Sequence, residues 1–170
     1  FELPFQRLIQ TLAVGLLIGS VVLGGLRYLL TAVIGGFTFS TPARIHLSVL
    51  GGLALLAIAY GYQLDKLDLA YSGRGVGAGV AYADANAQFF AYDLLTVISG
   101  LGAALLVGSA FTRWVWPFGA TIAVWFLASI LVGRAYPEAI QRLVVDPNRL
   151  AQETPYIQNN IQMTRLAFGF

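Results

Sequence analysis

Polar and charged residues gather at a few points along this chain, and between them lie four apolar runs near residues 8–34, 43–64, 87–111 and 115–136. An α-helix rises about 1.5 Å per residue, so a hydrocarbon core about 30 Å thick is crossed by roughly twenty apolar residues. Each run meets that length. The pattern predicts an all-α chain: a polytopic transmembrane helix bundle of about four spans over residues 1–136, with a connecting loop at 65–86. Residues 137–170 then form a tail of short helices outside the membrane.

Small residues mark the packing faces. The first span carries Gly15 and Gly19, then Ser20 and Gly24, at four-residue spacing, and the third carries Gly100, Ala104 and Gly108. Such stripes let helix backbones approach closely, and packing drives association in lipid. Contact between helices of one chain is the ordinary reading; homodimerisation is the alternative. Arg27, near the far end of the first span, is expected to extend its stem toward the headgroups. Ser40-Thr41-Pro42 reads as a helix start, a hydroxyl cap before a first-turn proline. Tyr60, Tyr62, Trp114 and Trp116 suit the interfacial aromatic belt.

Beyond Tyr136 the pattern changes. Pro137 to Val145 reads as a short helix past a proline kink. Asp146-Pro147 and Thr154-Pro155 are each expected to open a helix, because a capping side chain precedes a first-turn proline. In the last of these helices Ile157, Ile161, Thr164 and Phe168 recur at helical spacing. That stripe calls for a cover, either the membrane surface or a following domain.

Composition sharpens this picture. Mean hydropathy is +0.74, and 58% of residues are apolar while 11% are charged, against about a quarter charged in soluble domains. Ten Lys and Arg against eight Asp and Glu give a net charge of +2, spread too thinly for a nucleic-acid surface. The absence of cysteine excludes disulfides, a thiolate nucleophile, iron–sulfur sites and zinc-thiolate sites. Phe1-Glu2-Leu3-Pro4-Phe5 has no basic region followed by a cleavage site, so it reads as the interior of a longer chain rather than a signal peptide. The short connections near Phe37–Arg44 and Thr112–Trp114 carry Arg44 and Arg113 and no acid. Basic short loops stay cytoplasmic, which places the long loop and the tail on the extracytoplasmic side.

Little of the chemistry survives scrutiny. His46, the sole histidine, could serve as an axial ligand to a haem or a chlorophyll magnesium; hydrogen bonding to a neighbouring helix or a headgroup is the commoner use. No cofactor is required, although chlorophyll, carotenoid or lipid is compatible with such a surface. Asp93 is a carboxylate about two turns into the third span. Interfacial solvation, pairing with another helix, and an ion or proton path shared with Arg27 are the three readings. Glycines alternate in Ser72-Gly73-Arg74-Gly75-Val76-Gly77-Ala78-Gly79, but Val80 stands where a dinucleotide loop needs its third glycine. The segment reads as a glycine-bent loop. No catalytic triad, paired carboxylates or metal cluster is present, and the chain is read as not an enzyme.

Several segments together carry a resemblance: Phe1-Glu2-Leu3-Pro4-Phe5, Ala43-Arg44-Ile45-His46-Leu47-Ser48, Gly61-Tyr62-Gln63-Leu64-Asp65-Lys66, Tyr71-Ser72-Gly73-Arg74-Gly75-Val76 and Ala135-Tyr136-Pro137. The run Val144-Val145-Asp146-Pro147-Asn148, Glu153-Thr154-Pro155-Tyr156-Ile157 and Thr164-Arg165-Leu166-Ala167-Phe168-Gly169 completes it. In this order they resemble a bacterial membrane family, Uncharacterised Protein Family 0182. The resemblance implies about seven spans followed by a large extracytoplasmic domain, with this chain supplying the last four spans and the first turns of that domain. It implies a bacterial plasma membrane, or a thylakoid membrane in a cyanobacterium, and it brings no assigned activity. Asp84-Ala85-Asn86-Ala87 departs from the family pattern in lacking a histidine, and Asp93 has no counterpart there. Two functions follow as expectations: a structural or interaction module among other membrane subunits and lipids, or a transporter or channel part using Asp93.

Overall fold

A computed structural model describes residues 2–35, 41–73, 79–112 and 116–169, and among these every regular element is helical. The α-helices are α1 (Glu2–Gly35), α2 (Thr41–Asp68), α3 (Phe89–Ser109), α4 (Trp116–Ile130), α5 (Tyr136–Ile140) and α6 (Arg149–Phe168). A π turn at Asp84–Gln88 leads into α3. Further π turns at Leu131–Ala135 and Gln141–Val145, and a 3-10 turn at Asp146–Asn148, join α4, α5 and α6. Among the described residues, Arg44–Tyr71, Asp84–Ser109 and Trp116–Phe168 are long and apolar enough to cross a membrane. That makes three such stretches against about four expected. The run near 8–34 lies on α1, whose described apolar stretch, Val14–Leu26, is shorter.

The helix starts and stops show where local chemistry prevails. α2 begins at Thr41 with Pro42 in its first turn, where a missing N–H costs nothing. The tail departs from expectation. Asp146-Pro147 opens only a 3-10 turn and Asp146 does not cap it, while Thr154-Pro155 opens no helix: α6 starts at Arg149 after Asn148, whose φ of −137° and ψ of 50° break the helical path, and Pro155 lies inside α6. The Thr154 hydroxyl, instead of capping forward, donates to the Leu150 carbonyl one turn back. Each of the two later π turns ends two residues before a proline, Pro137 or Pro147. A helical proline lacks an N–H and its ring crowds the carbonyl four residues earlier. A widened turn there takes up the crowding, and Tyr136 and Asp146 donate across five residues to the Leu131 and Gln141 carbonyls.

The chain divides into two compact units. In the first, Phe1–Gly61 with Thr96–Leu127, helices meet through glycine and hydroxyl groups. A Cβ on Gly52 would stand 2.7 Å from Val107 Cγ2 and 3.2 Å from the Ala103 carbonyl oxygen, and one on Gly102 would stand 3.1 Å from Leu55 Cδ1. Leu55, Ala103 and Leu106 form the core, with Ile58, Phe118 and Trp125 packed on it. The Ser109 hydroxyl donates to the Leu106 carbonyl at 2.6 Å, so at 3.2 Å it is the Ser48 hydroxyl that donates to Ser109. The Trp125 indole N–H donates to the Ser99 hydroxyl at 2.8 Å. Long side chains such as Leu16, Leu23, Leu101, Leu105 and Val124 stay exposed.

The second unit, Tyr62–Leu95 with Ala128–Phe170, buries alanines at four-residue spacing: Ala83, Ala87 and Ala91, followed by Leu95. Gly133, in a π turn, lets Leu95 approach; a Cβ there would stand 3.0 Å from Leu95 Cδ1. Aromatic pairs cross between its helices. Tyr62 stacks on Tyr92 at 6.1 Å, and Phe90 meets Tyr136 edge-on at 6.3 Å.

Candidate functional site

The densest polar chemistry lies in the second unit, where the helical segment leading into α3 begins. A helix leaves its first four N–H groups without intrahelical partners. Here two are taken by buried carboxylates. The Ala81 N–H donates to Asp84 Oδ2 at 3.2 Å, the reach-back that an acid in the first turn makes to the residue before it. The next donor, the Tyr82 N–H, is met by Glu153 Oε1 at 3.4 Å, from α6. Asp84 is fully buried and Glu153 is 2% exposed. Negative charge at this helix end also gains from the backbone dipole.

Around the carboxylates the contact is amide and aromatic. The Asn86 side-chain amide donates to the Tyr82 carbonyl at 2.9 Å and to the Tyr156 hydroxyl at 3.1 Å, spending both its hydrogens. Tyr82 and Tyr156 meet edge-on at 6.2 Å. Gly79 donates to the Ser72 carbonyl at 2.8 Å, and its φ of +134° is one that a side chain would strain. A Cβ there would also stand 3.1 Å from the Asn160 amide. Three residues of α6, Glu153, Tyr156 and Asn160, therefore meet the start of the α3 segment and the loop before it. A second polar group joins α2, α3 and the end of α4: Lys66 pairs with Asp93, and the Tyr62 hydroxyl lies 3.4 Å from that of Ser129.

This arrangement positions elements. Among the described residues no group of three His, Asp or Glu could hold a metal ion. His46 sits exposed near the start of α2. Asp93 is 61% exposed and ion-paired with Lys66. Arg27 lies on α1, in the other unit, and its side chain falls outside the described residues. Of the glycine-rich loop only Ser72, Gly73 and Gly79 are described.

The predicted packing stripes make few contacts among the described residues. A Cβ on Gly15, Gly19, Gly100 or Gly108 would meet nothing within 4 Å, while one on Gly24 would touch Leu47 at 3.6 Å. Ser20 is exposed and bonds its own helix at Leu16, and Ala104 is exposed. The tight face of α3 runs through Ser99, Gly102, Ala103 and Leu106, about 150° around the helix from the stripe expected. Gly51 and Gly52 escaped the spacing rule because they are adjacent. Glu153 also escaped, since a lone acid in a polar tail reads as solvated. Asp84 did carry a signal, an acid three residues after a helix start.

A model of the uncharacterised protein family UPF0182 matches residues 1–170. The chain is 36% identical over 174 residues to a UPF0182 protein of Desulforamulus reducens and 39% identical over 179 residues to one of Frankia alni. A UPF0182 protein of Geotalea uraniireducens is 32% identical over 173 residues. These similarities cover 99% of this chain but 17–19% of the relatives, so the chain spans about a fifth of their length. No solved structure matches it.

Proposed function

The chain belongs to the uncharacterised protein family UPF0182, and from that premise we propose that this region is a membrane-embedded structural module that seats an extramembrane helix, α6, on the end of its spans. Its task is to fix the geometry of a larger membrane assembly rather than to catalyse, and it needs no cofactor to do so. The membrane is the bacterial plasma membrane, with α6 on the extracytoplasmic side. One observation carries the reading: buried Glu153 of α6 accepts the Tyr82 N–H, beside the Asn86–Tyr156 bond.

Two further features support it. In the most apolar 18-residue window of Trp116–Phe168 no residue is buried, and many long apolar side chains, among them Leu16, Leu23, Leu101 and Leu105, face out. That arrangement suits lipid; in water each Å² of exposed apolar surface forgoes about 25 cal/mol. Asp93 is ion-paired with Lys66, which favours a structural use over a transport path. The test is alkaline extraction of membranes together with limited proteolysis of the chain. Extraction should leave it in the lipid fraction, and Glu153→Ala with Tyr156→Phe should open residues 149–168 to protease while the spans stay protected. A tail equally protected in that variant would defeat the seating role.

A further inference from the structure

We infer that α6 lies along the membrane surface as an interfacial helix, with its apolar stripe against an anionic lipid bilayer; the inference rests on the membrane reading above. The path of the chain supplies the geometry. Tyr136 meets Phe90, and Tyr156, some twenty residues on, meets Tyr82 and Asn86. A straight helix would have advanced about 30 Å over that interval, while Phe90 and Asn86 differ by about 6 Å of rise. The path therefore turns, at Asn148. After the turn, Glu153, Tyr156 and Asn160 meet the first turns of the α3 segment and the loop before it. α6 thus crosses the end of α3 instead of running out along it.

Its uncovered face has the polarity of a bilayer surface. Leu150, Ile157, Ile161 and Phe168 fall within about 40° of one another on the helix, at 100° per residue. Leu150, Ile161 and Phe168 are 78%, 50% and 73% exposed. Asn159 stands opposite the stripe, between exposed Leu166 and Met163. α6 carries three charged residues, Arg149, Glu153 and Arg165; the two arginines are exposed and the one acid is buried in the contact with Tyr82. All the charge this helix shows is positive. An apolar stripe flanked by cations is the pattern that seats a helix at the boundary of headgroups and acyl chains, and anionic lipid complements it.

The chain has no cysteine, so single-site labels are clean. The variants Ile161→Cys, Asn159→Cys and Val124→Cys carry an environment-sensitive fluorophore in the full chain. They are reconstituted in vesicles of phosphatidylcholine with phosphatidylglycerol, or of phosphatidylcholine alone, with brominated acyl chains as quencher. The expected result is strong quenching at 161 and several-fold weaker quenching at 159. Arg149→Gln with Arg165→Gln should reduce the quenching at 161 in the anionic vesicles only, by roughly fivefold per arginine at most. Equal quenching at 161 and 159 would overturn the inference. So would a label at 161 shielded equally in detergent, which would mean that protein covers the stripe. Val124 is exposed on α4 and separates the two failures: quenching there with none at 161 sinks only the interfacial helix, and none at either site sinks the membrane reading.

Discussion

In the unit formed by Phe1–Gly61 and Thr96–Leu127 the helices touch where side chains are missing, at Gly51, Gly52 and Gly102, and neutral hydroxyls supply the polar links. In the unit formed by Tyr62–Leu95 and Ala128–Phe170 the contacts use carboxylates, an amide, tyrosines and an ion pair. On the membrane reading proposed above, the contrast follows from the solvent each unit would face. A region enclosed by hydrocarbon gains little from charge and much from close backbone packing. Near water, or on a helix end with free N–H groups, a carboxylate can be both buried and satisfied.

Substitutions at the closest contacts test the contrast most severely. Gly52→Leu should cost about 3 kcal/mol or more, at the upper end of the overpacking range, because the added side chain meets the Ala103 backbone as well as Val107. Gly108→Leu, placed in open space, should change unfolding in detergent by less than about 0.5 kcal/mol. Similar losses from the two would dissolve the assignment of the packing face. Next in size is Glu153→Ala, which strands the Tyr82 N–H and should cost about 2 kcal/mol. Its signature is faster hydrogen exchange at Tyr82, and Glu153→Gln should recover part of the loss because the amide oxygen still accepts.

Neutral links within the first unit should be weaker. A double-mutant cycle of Trp125→Phe with Ser99→Ala is expected to give a coupling of about 0.6 kcal/mol, the usual worth of a hydrogen bond between membrane helices. A coupling above about 2 kcal/mol would mean that hydroxyl links, rather than glycine contacts, dominate there. The smallest effect is expected at Asp93. Asp93→Asn should shift stability by about 0.5 kcal/mol or less, since the carboxylate is 61% exposed and solvent screens such pairs. A large loss would place this pair in a drier setting and revive a functional role for it.

Much of the architecture was legible because it depends on length and periodicity. The apolar runs foretold the helices, and Thr41-Pro42 marked the start of α2. The faces were not legible. α3 offers several small residues, and the stripe at Gly100, Ala104 and Gly108 looks as suitable as the one through Ser99, Gly102 and Ala103 until a partner helix is placed. Pro155 misled because a proline starts helices more readily than it sits inside them, and here tertiary contact at Glu153 and Tyr156 holds the helix across it. The candidate site was not legible: Asp84 entered only as part of a departure from the family pattern, and Glu153 and Tyr156 reach the site across some seventy positions of sequence.

The π turns at Leu131–Ala135 and Gln141–Val145 carry a consequence for how this region tolerates change in length. Each holds one residue more than the α turn it replaces, and one residue is worth about 100° of rotation around the axis. The stretch from α4 to Val145 thus behaves as an ordinary helix that has absorbed two single-residue insertions, each ahead of a proline. The orientation that brings Tyr136 to Phe90 is set by the first of them. Loss of one residue between 131 and 135 would leave composition and hydropathy almost untouched, yet it would turn α5 to a different neighbour.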